Sequence, residues 1–574
     1  MNTEDKMDAF AEYRRWVDNV RDEELKDDLR NIDGNEEEIR SRFSRHLSFG
    51  TAGMRGILAA GTDRMNIYSV GRATQGLADY INEEFGGGSV AISYDSRIKS
   101  EEFARETASI LAANGIKAYI YSRLMPVPML SYAVRELKCR AGVMITASHN
   151  PSQYNGYKVY GSDGCQMTDA AADAVLSRIE RHDYFSGIKE TDFDEAVSNG
   201  TVEFIPDEVC ESYYRDIMTC RVNPDLPNGI SVVYTPLNGA GNEPVRKVLG
   251  MCGYDRITVV PEQENPDGNF PTCPYPNPET EEARKLGLDL CEKVRPDIFI
   301  ATDPDADRVG VAFPEKDGSF RSLTGNEAGI LMLDYVLRGA TENGTLPERA
   351  VTVRSIVSSS MADEIAANYG AEMRVVLTGF KYIGEQILLL EQAGESDRFV
   401  FGFEESCGYL GGSFVRDKDG VYASMILCEL TNYYKSRNTT PLEVLDSLYD
   451  KYGYYRHKVA NIAFPGADGT EKMQAVTAHL RENPLKEIAG FKVVESDDIL
   501  KHEHTAEDGT VTPIDLPASD VLVYTLENGA KVIVRPSGTE PKMKLYISAK
   551  EDSADKSDLL AEELEKATRE AAGL

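Results

Sequence analysis

From Ser89 onward, short apolar runs alternate with stretches of helical periodicity: SVAISY, a helical stretch through Phe103 to Asn114, IKAYIYS, then AGVMIT. Such a chain has few ways to bury its apolar groups. Runs too short for a helix, separated by amphipathic segments, assemble into a mostly parallel sheet with helices on both faces. The alternation restarts near Gly229 (ISVVYTP, a helix near 243–250, RITVVP) and again near Gly325, through a helix to about Leu337 and then AVTVRSIV. With 574 residues the chain exceeds what one core can hold. Three successive mixed α/β units are expected, although no repeat shows in the sequence itself. From about Tyr455 the rhythm changes to short strand-like runs with helices near 470–482 and 556–571, a smaller α+β domain. The expected division is 1–215, 216–322, 323–452 and 453–574. Apolar positions at helical spacing between residues 6 and 32 predict amphipathic helices, and the N-terminal segment 1–40 is expected either to pack on the first unit or to mediate association. The segment PTCPYPNPE (271–279) reads as loop, because its prolines remove donors and fix φ.

Charge narrows the partners. A net charge of −33, from 62 basic and 95 acidic residues, repels nucleic acid and anionic lipid, so neither is expected. No apolar run reaches membrane-spanning length, and the polar start MNTEDKMDAF lacks the apolar core of a secretory signal, so a cytoplasmic location is expected. Nine scattered cysteines without a C-x-x-C pair read as reduced thiols. A site for anions in such a chain must be locally positive, so Arg and Lys clustered beside Gly-rich turns are the places to look.

Four loops meet that requirement. TASHNP (146–151) follows the apolar run 141–145, where open α/β sheets place their chemistry. Ser148 reads equally as a nucleophile or a turn cap. Adjacent side chains seldom orient as a nucleophile–base pair, which counts against His149 as its partner. NGYKVYG (155–161) brings Lys158 within reach. DPDADR (303–308) offers carboxylates at i, i+2 and i+4, a hard-oxygen set suited to Mg²⁺ or Ca²⁺, with Arg308 to balance an added anion. An EF-hand would need Gly at 308 and Glu at 314 and fails at both; a solvated acidic turn is the plain alternative. FGFEESCGY (401–409) sets Glu404 and Ser406 where they can hydrogen-bond vicinal sugar hydroxyls, with ordinary surface charge as the alternative for a Glu-Glu pair. Thr378 and Gly379 are counted with the same substrate-binding group. Lys418, in RDKDG (416–420), is a turn residue or a site cation. RPSGTEPK (535–542) offers Arg535, Ser537, Gly538 and Thr539 as a phosphate cradle, with a structural β-turn as the plain alternative, and FGTAGMRG (49–56) offers Arg55.

Taken in order, GTAGMRG, TASHNP, NGYK, DPDADR, GFEES and RPSGTEP resemble the motifs of the α-D-phosphohexomutase family over nearly the whole chain. That resemblance implies four domains around a central cleft, three similar α/β domains and a C-terminal phosphate-binding domain. It implies a phosphorylated Ser148 and an Mg²⁺ ion held by Asp303, Asp305 and Asp307 together with the serine phosphate. Glu404 and Ser406 would grip the sugar, and Arg535, Ser537, Gly538 and Thr539 the non-reacting phosphate. Arg55, His149, Lys158, Arg308 and Lys418 would surround the transferred phosphate, with acid–base work falling to His149 or Lys158. The implied reaction interconverts the 1- and 6-phosphates of a hexose through a bisphosphate, glucose 1,6-bisphosphate for a glucose substrate. The partner is a small phosphosugar, and the chain a monomer or homodimer.

Two positions depart from the family pattern. Asn238 stands where a T-P-L-H-G segment has His, and Gly408 stands where mannose-preferring members often have His. The second tilts the expected substrate towards glucose phosphates. A phosphomannomutase, a phosphopentomutase, a sugar-bisphosphate synthase, a metal-dependent phosphatase and a non-catalytic phosphosugar sensor are the alternatives.

Overall fold

The computed structural model describes residues 7–50, 53–465, 469–537 and 541–574. Four sheets succeed one another along the chain, and three share a common plan that the sequence does not display. In the first, the central order is Lys117–Ile120, Ser89–Tyr94, Ala141–Ile145, Tyr154–Gly161. In the second it is Ile257–Val259, Val232–Thr235, Ile298–Thr302, Val309–Pro314, and in the third Glu372–Val376, Val351–Ser355, Phe399–Glu404, Gly408–Leu410. Each time three parallel strands are followed by one antiparallel strand. The connection into that last strand is TASHNP, DPDADR or EESC. Three of the four candidate loops thus occupy one topological position, repeated.

Burial on both faces explains why these strands are short and almost wholly apolar. In the first sheet Val90, Ile92, Val143 and Ile145 pack with helices Ile67–Phe85 and Ser100–Ala113. The alternate residues Ala91 and Met144 face helix Val127–Glu136. The pleat divides the second sheet likewise, Val232 and Ile300 to one side, Val233 and Phe299 to the other. One hydrophobic core then runs without a break through the first three domains, from Met129 through Ile300 to Phe403 and Tyr422. Helix Gly420–Ser436, nearly all buried, belongs by sequence to the third unit but packs against helix Asn242–Met251 of the second.

The C-terminal sheet is antiparallel throughout. One face holds its own core under helices Gly469–Glu482 and Ala554–Ala571. The other face touches the third domain through a small cluster containing Val523, Ile533 and Tyr546 against Val357 and Leu377. At the opposite end, helices Ala9–Asn19, Glu23–Asn31 and Glu36–Phe43 pack on the first domain. Trp16, fully buried, lies 5.6 Å from Tyr68 and 5.2 Å from Phe185, edge contacts each of about 0.5–1.5 kcal/mol beyond their area. The third of these helices has only Ile39 and Phe43 as a fully apolar, buried pair, too weak a pattern to read from periodicity. All nine cysteines are unpaired. No described helix is long and apolar enough to cross a membrane.

Candidate active site

Ser148 has φ +50°, Ala306 +48° and Cys407 +60°, so each repeated loop turns on a non-glycine residue in the left-handed region. Such a conformation costs about 1–3 kcal/mol and persists only where the surroundings hold it. At Ser148 they do. Its amide donates to Thr146 Oγ1 at 2.8 Å, and the Thr146 hydroxyl donates to Asp95 Oδ2 at 2.6 Å. The buried Arg97 guanidinium donates to the carbonyls of Ser148 and Asn150, and at 2.9 Å to those of Pro151 and Tyr154. Sequence reading missed Asp95 and Arg97, although they follow strand Ser89–Tyr94 at the same carboxyl end that drew attention to Ser148.

The held turn aims the Ser148 hydroxyl at the second domain, where it donates to Asp303 Oδ2 at 2.7 Å. It also brings Oγ to 3.1 Å from His149 Nδ1. The expectation that neighbours in sequence would not pair is therefore corrected: the left-handed backbone at Ser148 swings the two side chains together. Burial, with Arg308 nearby, pushes His149 down to about 2, so its imidazole is neutral.

Asp303, Asp305 and Asp307 are buried, with one oxygen of each within 4.8 Å of the others. This excludes a solvated acidic turn. Asp303 Oδ1 accepts the amides of Asp307 (3.1 Å) and Arg308 (3.0 Å). Lys158 Nζ lies 2.8 Å from Asp305 Oδ2 and 3.7 Å from Asp307 Oδ2, and Lys418 Nζ lies 3.1 Å from Asp307 Oδ2. Burial and the two neighbouring carboxylates push Asp303 well above the usual range. Burial works against Asp305 too, but Lys158 holds it low. Lys158 is in turn held above its ordinary value by Asp305 and Asp307, against its own burial.

Asp305 Oδ1 and Asp307 Oδ1 are buried without a hydrogen-bond partner. Orphaned carboxylate oxygens are costly, and a divalent cation bound by hard oxygen ligands would satisfy them. The cluster fits an Mg²⁺ site. Its backbone is clamped from two other domains: the amide of Val127 donates to Asp305 O, and that of Gly420 to Ala306 O. From behind, Gly239 backs Pro304 so closely that a Cβ there would lie 2.4 Å from Pro304 Cα. The neighbouring Asn238 ties down the carbonyls of Glu262 (3.3 Å) and Asn265 (2.8 Å), giving the family's departing position a structural use here.

The remaining candidates fall into two groups. Arg308 pairs with Glu279 (2.9 Å), and Arg55 donates to Asn150 Oδ1 (3.3 Å). Glu279 closes the proline-rich segment read as mere loop, which also sets Tyr275 edge-on to His149 at 5.7 Å. On the third domain, Glu404 Oε1 accepts the Gly379 amide at 2.6 Å, and the buried Thr378 hydroxyl has no partner. Ser406 is half-buried in the same loop. Arg535, half-buried on strand Lys531–Pro536, interacts with Tyr546, which also interacts with Glu405 and Glu404. The amide of Ser537 donates to Lys542 O at 2.7 Å, while Gly538 and Thr539 lie outside the described residues.

A serine hydroxyl directed at a buried three-carboxylate cluster, with Lys158, Lys418 and Arg308 beside it, is an arrangement suited to phosphoryl transfer, and it is built from three α/β domains. The four family models of phosphoglucomutase/phosphomannomutase match in order: α/β/α domain I over 46–185, domain II over 211–317, domain III over 324–452 and the C-terminal domain over 477–566. The chain belongs to this family, the α-D-phosphohexomutases. It is 35% identical to a phosphoglucomutase of Staphylococcus saprophyticus over 543 residues, 94% of this chain and 97% of that one. It is also 35% identical to one from Staphylococcus aureus, over 89% of this chain and 91% of the relative. Among solved structures, the open form of the Paramecium phosphoprotein pp63/parafusin superposes with a TM-score of 0.68 at 17% identity, covering 92% of this chain and 96% of that chain. A phosphoglucomutase/phosphomannomutase family protein from Burkholderia thailandensis gives 0.66 at 17% identity, covering 91% and 97%.

Proposed function

We propose that this phosphohexomutase is a phosphoglucomutase, interconverting glucose 1-phosphate and glucose 6-phosphate through phosphorylated Ser148 and enzyme-bound glucose 1,6-bisphosphate. The observation that carries the reading is the Ser148 hydroxyl 2.7 Å from Asp303 inside the buried carboxylate cluster. The Staphylococcus relatives named phosphoglucomutase support the choice of sugar.

Phosphorylated Ser148 gives its phosphoryl group to the free hydroxyl of the bound hexose monophosphate: the Oγ–P bond breaks as the new O–P bond forms, and the hydroxyl's proton ends on Ser148 Oγ. The bisphosphate turns over and returns its other phosphoryl group to Ser148. Bound at Asp303, Asp305 and Asp307, Mg²⁺ would supply charge stabilisation for the transferring oxygens. Lys158, Lys418, Arg308 and Arg55 serve the same end, since phosphoryl transfer is chiefly positioning and electrostatics. In the return step the Ser148 proton must leave, and the groups within hydrogen-bond reach of Oγ to receive it are Asp303 Oδ2 at 2.7 Å and His149 Nδ1 at 3.1 Å. Lys158, held charged between two aspartates, is suited to clamping phosphate. Glu404, Ser406, Thr378 and Gly379 would hold the sugar hydroxyls, and Arg535 with Ser537, Gly538 and Thr539 the distal phosphate.

Peptide mass spectrometry of the protein incubated with glucose 1,6-bisphosphate should map one phosphate to Ser148. Ser148→Ala should lose isomerisation by at least about four orders of magnitude, as when a nucleophile is deleted elsewhere. Full activity in that variant overturns the mechanism. A coupled assay offering glucose, mannose and ribose 1-phosphates tests the sugar, and a higher kcat/KM for mannose or ribose 1-phosphate rejects the glucose assignment.

A further inference from the structure

Lys418 lies where three domains meet, and apart from Asp307 its slot is built from residues with no assigned part in the reaction. Its Nζ is 3.1 Å from Asp307 Oδ2 of the second domain and 3.0 Å from Asp417 Oδ1 of the third, 5.4 Å above the Phe380 ring. Asp417 is itself buried and saturated. Oδ1 also accepts the Lys418 amide at 2.8 Å, while Oδ2 accepts Tyr160 Oη at 2.9 Å and Gln166 Nε2 at 3.3 Å, both from the first domain. A continuous chain therefore runs Tyr160–Asp417–Lys418–Asp307, crossing from the first domain through the third to the second.

The floor of the slot is Gly408. A Cβ there would stand 2.2 Å from Lys418 Cδ and 2.7 Å from Cγ. These atoms lie in the middle of the stem, whose far end is already pinned by two carboxylates, so the lysine cannot simply swing aside. The side chain missing at 408 is replaced in space by the lysine.

We infer that Tyr160 and Asp417 are positioning residues that hold Lys418 for phosphoryl transfer, and that Gly408 is required because the lysine stem occupies its side-chain space. The inference rests on the proposed function, in which Lys418 faces the transferring phosphate. It assigns position 408 to placing a cation, whichever hexose is bound.

The test is a set of double-mutant cycles. Tyr160→Phe, Asp417→Asn and Gly408→Ala are each made in the wild type and in Lys418→Met. Steady-state kcat and KM are measured, together with single-turnover transfer from glucose 1,6-bisphosphate to Ser148 by intact mass, which stays readable in slow variants. In the wild-type background Tyr160→Phe should lower kcat about threefold to tenfold and Asp417→Asn at least about tenfold, the range expected for one hydrogen bond and one charged partner, with KM within about twofold. Gly408→Ala should fall between them. In Lys418→Met none of the three should cost anything further, because the group they position is gone. Equal losses in both backgrounds, or a change in KM alone, would overturn the inference while leaving the proposed function intact. Tyr160→Phe removes one hydroxyl and keeps the ring, so it decides the matter even if Asp417→Asn misfolds. A wild-type enzyme that turns over no hexose phosphate would instead sink the proposed function, and this inference with it.

Discussion

The transfer site and the C-terminal domain are held in place by different physics. Around Ser148 and the aspartates, three domains share one hydrophobic core, and backbone hydrogen bonds cross the domain borders at Asp305 and Ala306. The C-terminal domain has a core of its own, contributes Tyr455 with Tyr454 beside it to the shared one, and otherwise meets the third domain through a small apolar cluster, the Lys550–Glu364 pair (2.8 Å) and an interface cavity lined by His457. Displacing the first site would open a continuous core. Displacing the second exposes only a modest contact, the behaviour of an interface that can move relative to its neighbour. In the proposed reaction, phosphoryl transfer needs reacting groups placed to a fraction of an ångström, whereas a distal phosphate on the C-terminal domain would need only to be gripped after the ligand enters.

The contrast can be broken most sharply from the transfer side. Asp305→Asn combined with Asp307→Asn should reduce turnover by about three orders of magnitude or more and abolish its dependence on added Mg²⁺, the expected scale when charge stabilisation of several kcal/mol is lost. A double variant that kept its magnesium-dependent rate would remove the metal assignment. Next, Arg535→Ala should raise KM by about 10- to 100-fold, the worth of a charge-assisted contact, with a smaller change in single-turnover transfer to Ser148. Equal losses in both would mean that the C-terminal domain also sets the transfer geometry.

The smallest effect belongs to the interface. His457 is pushed down to about 4 by burial, then by Arg354 and Arg456, and its Nε2 has no partner. Released from the interface it would titrate near its ordinary value of about 6.5. Below that pH the released state binds a proton that the docked state does not, so docking weakens as pH falls from about 6.5 towards 4. Calorimetry between pH 7 and 5 should show the C-terminal unfolding step fall by a few degrees, and His457→Gln should flatten that slope. A transition of the three-domain body that shifted equally, or a slope unchanged in His457→Gln, would contradict the separate character of the two regions.

The apolar runs ending at Ile145, Thr302 and Glu404 marked where the chemistry lies, because parallel strands deliver their loops to one edge of a sheet. The partners were harder to read. Asp95 and Arg97 lie some fifty residues before Ser148, and Glu279 about thirty before Arg308. Asp417 is next to Lys418, but only the fold shows that Tyr160 holds it. Such partners leave no local pattern, since a hydrogen bond or ion pair requires only that two positions distant in sequence end up adjacent. The close approach of His149 to Ser148 was unexpected for the opposite reason: spacing alone does not reveal a left-handed backbone at Ser148.

By itself the sequence determined the element types, the restart of the α/β pattern and the residue chemistry of each loop, all carried by local periodicity and short-range composition. Tertiary structure decided that the three restarts share one strand order and that three of the loops fall at one topological position. It also decided which charges meet. Those outcomes depend on how separate sheets pack on a common core, and no short stretch of chain contains that information.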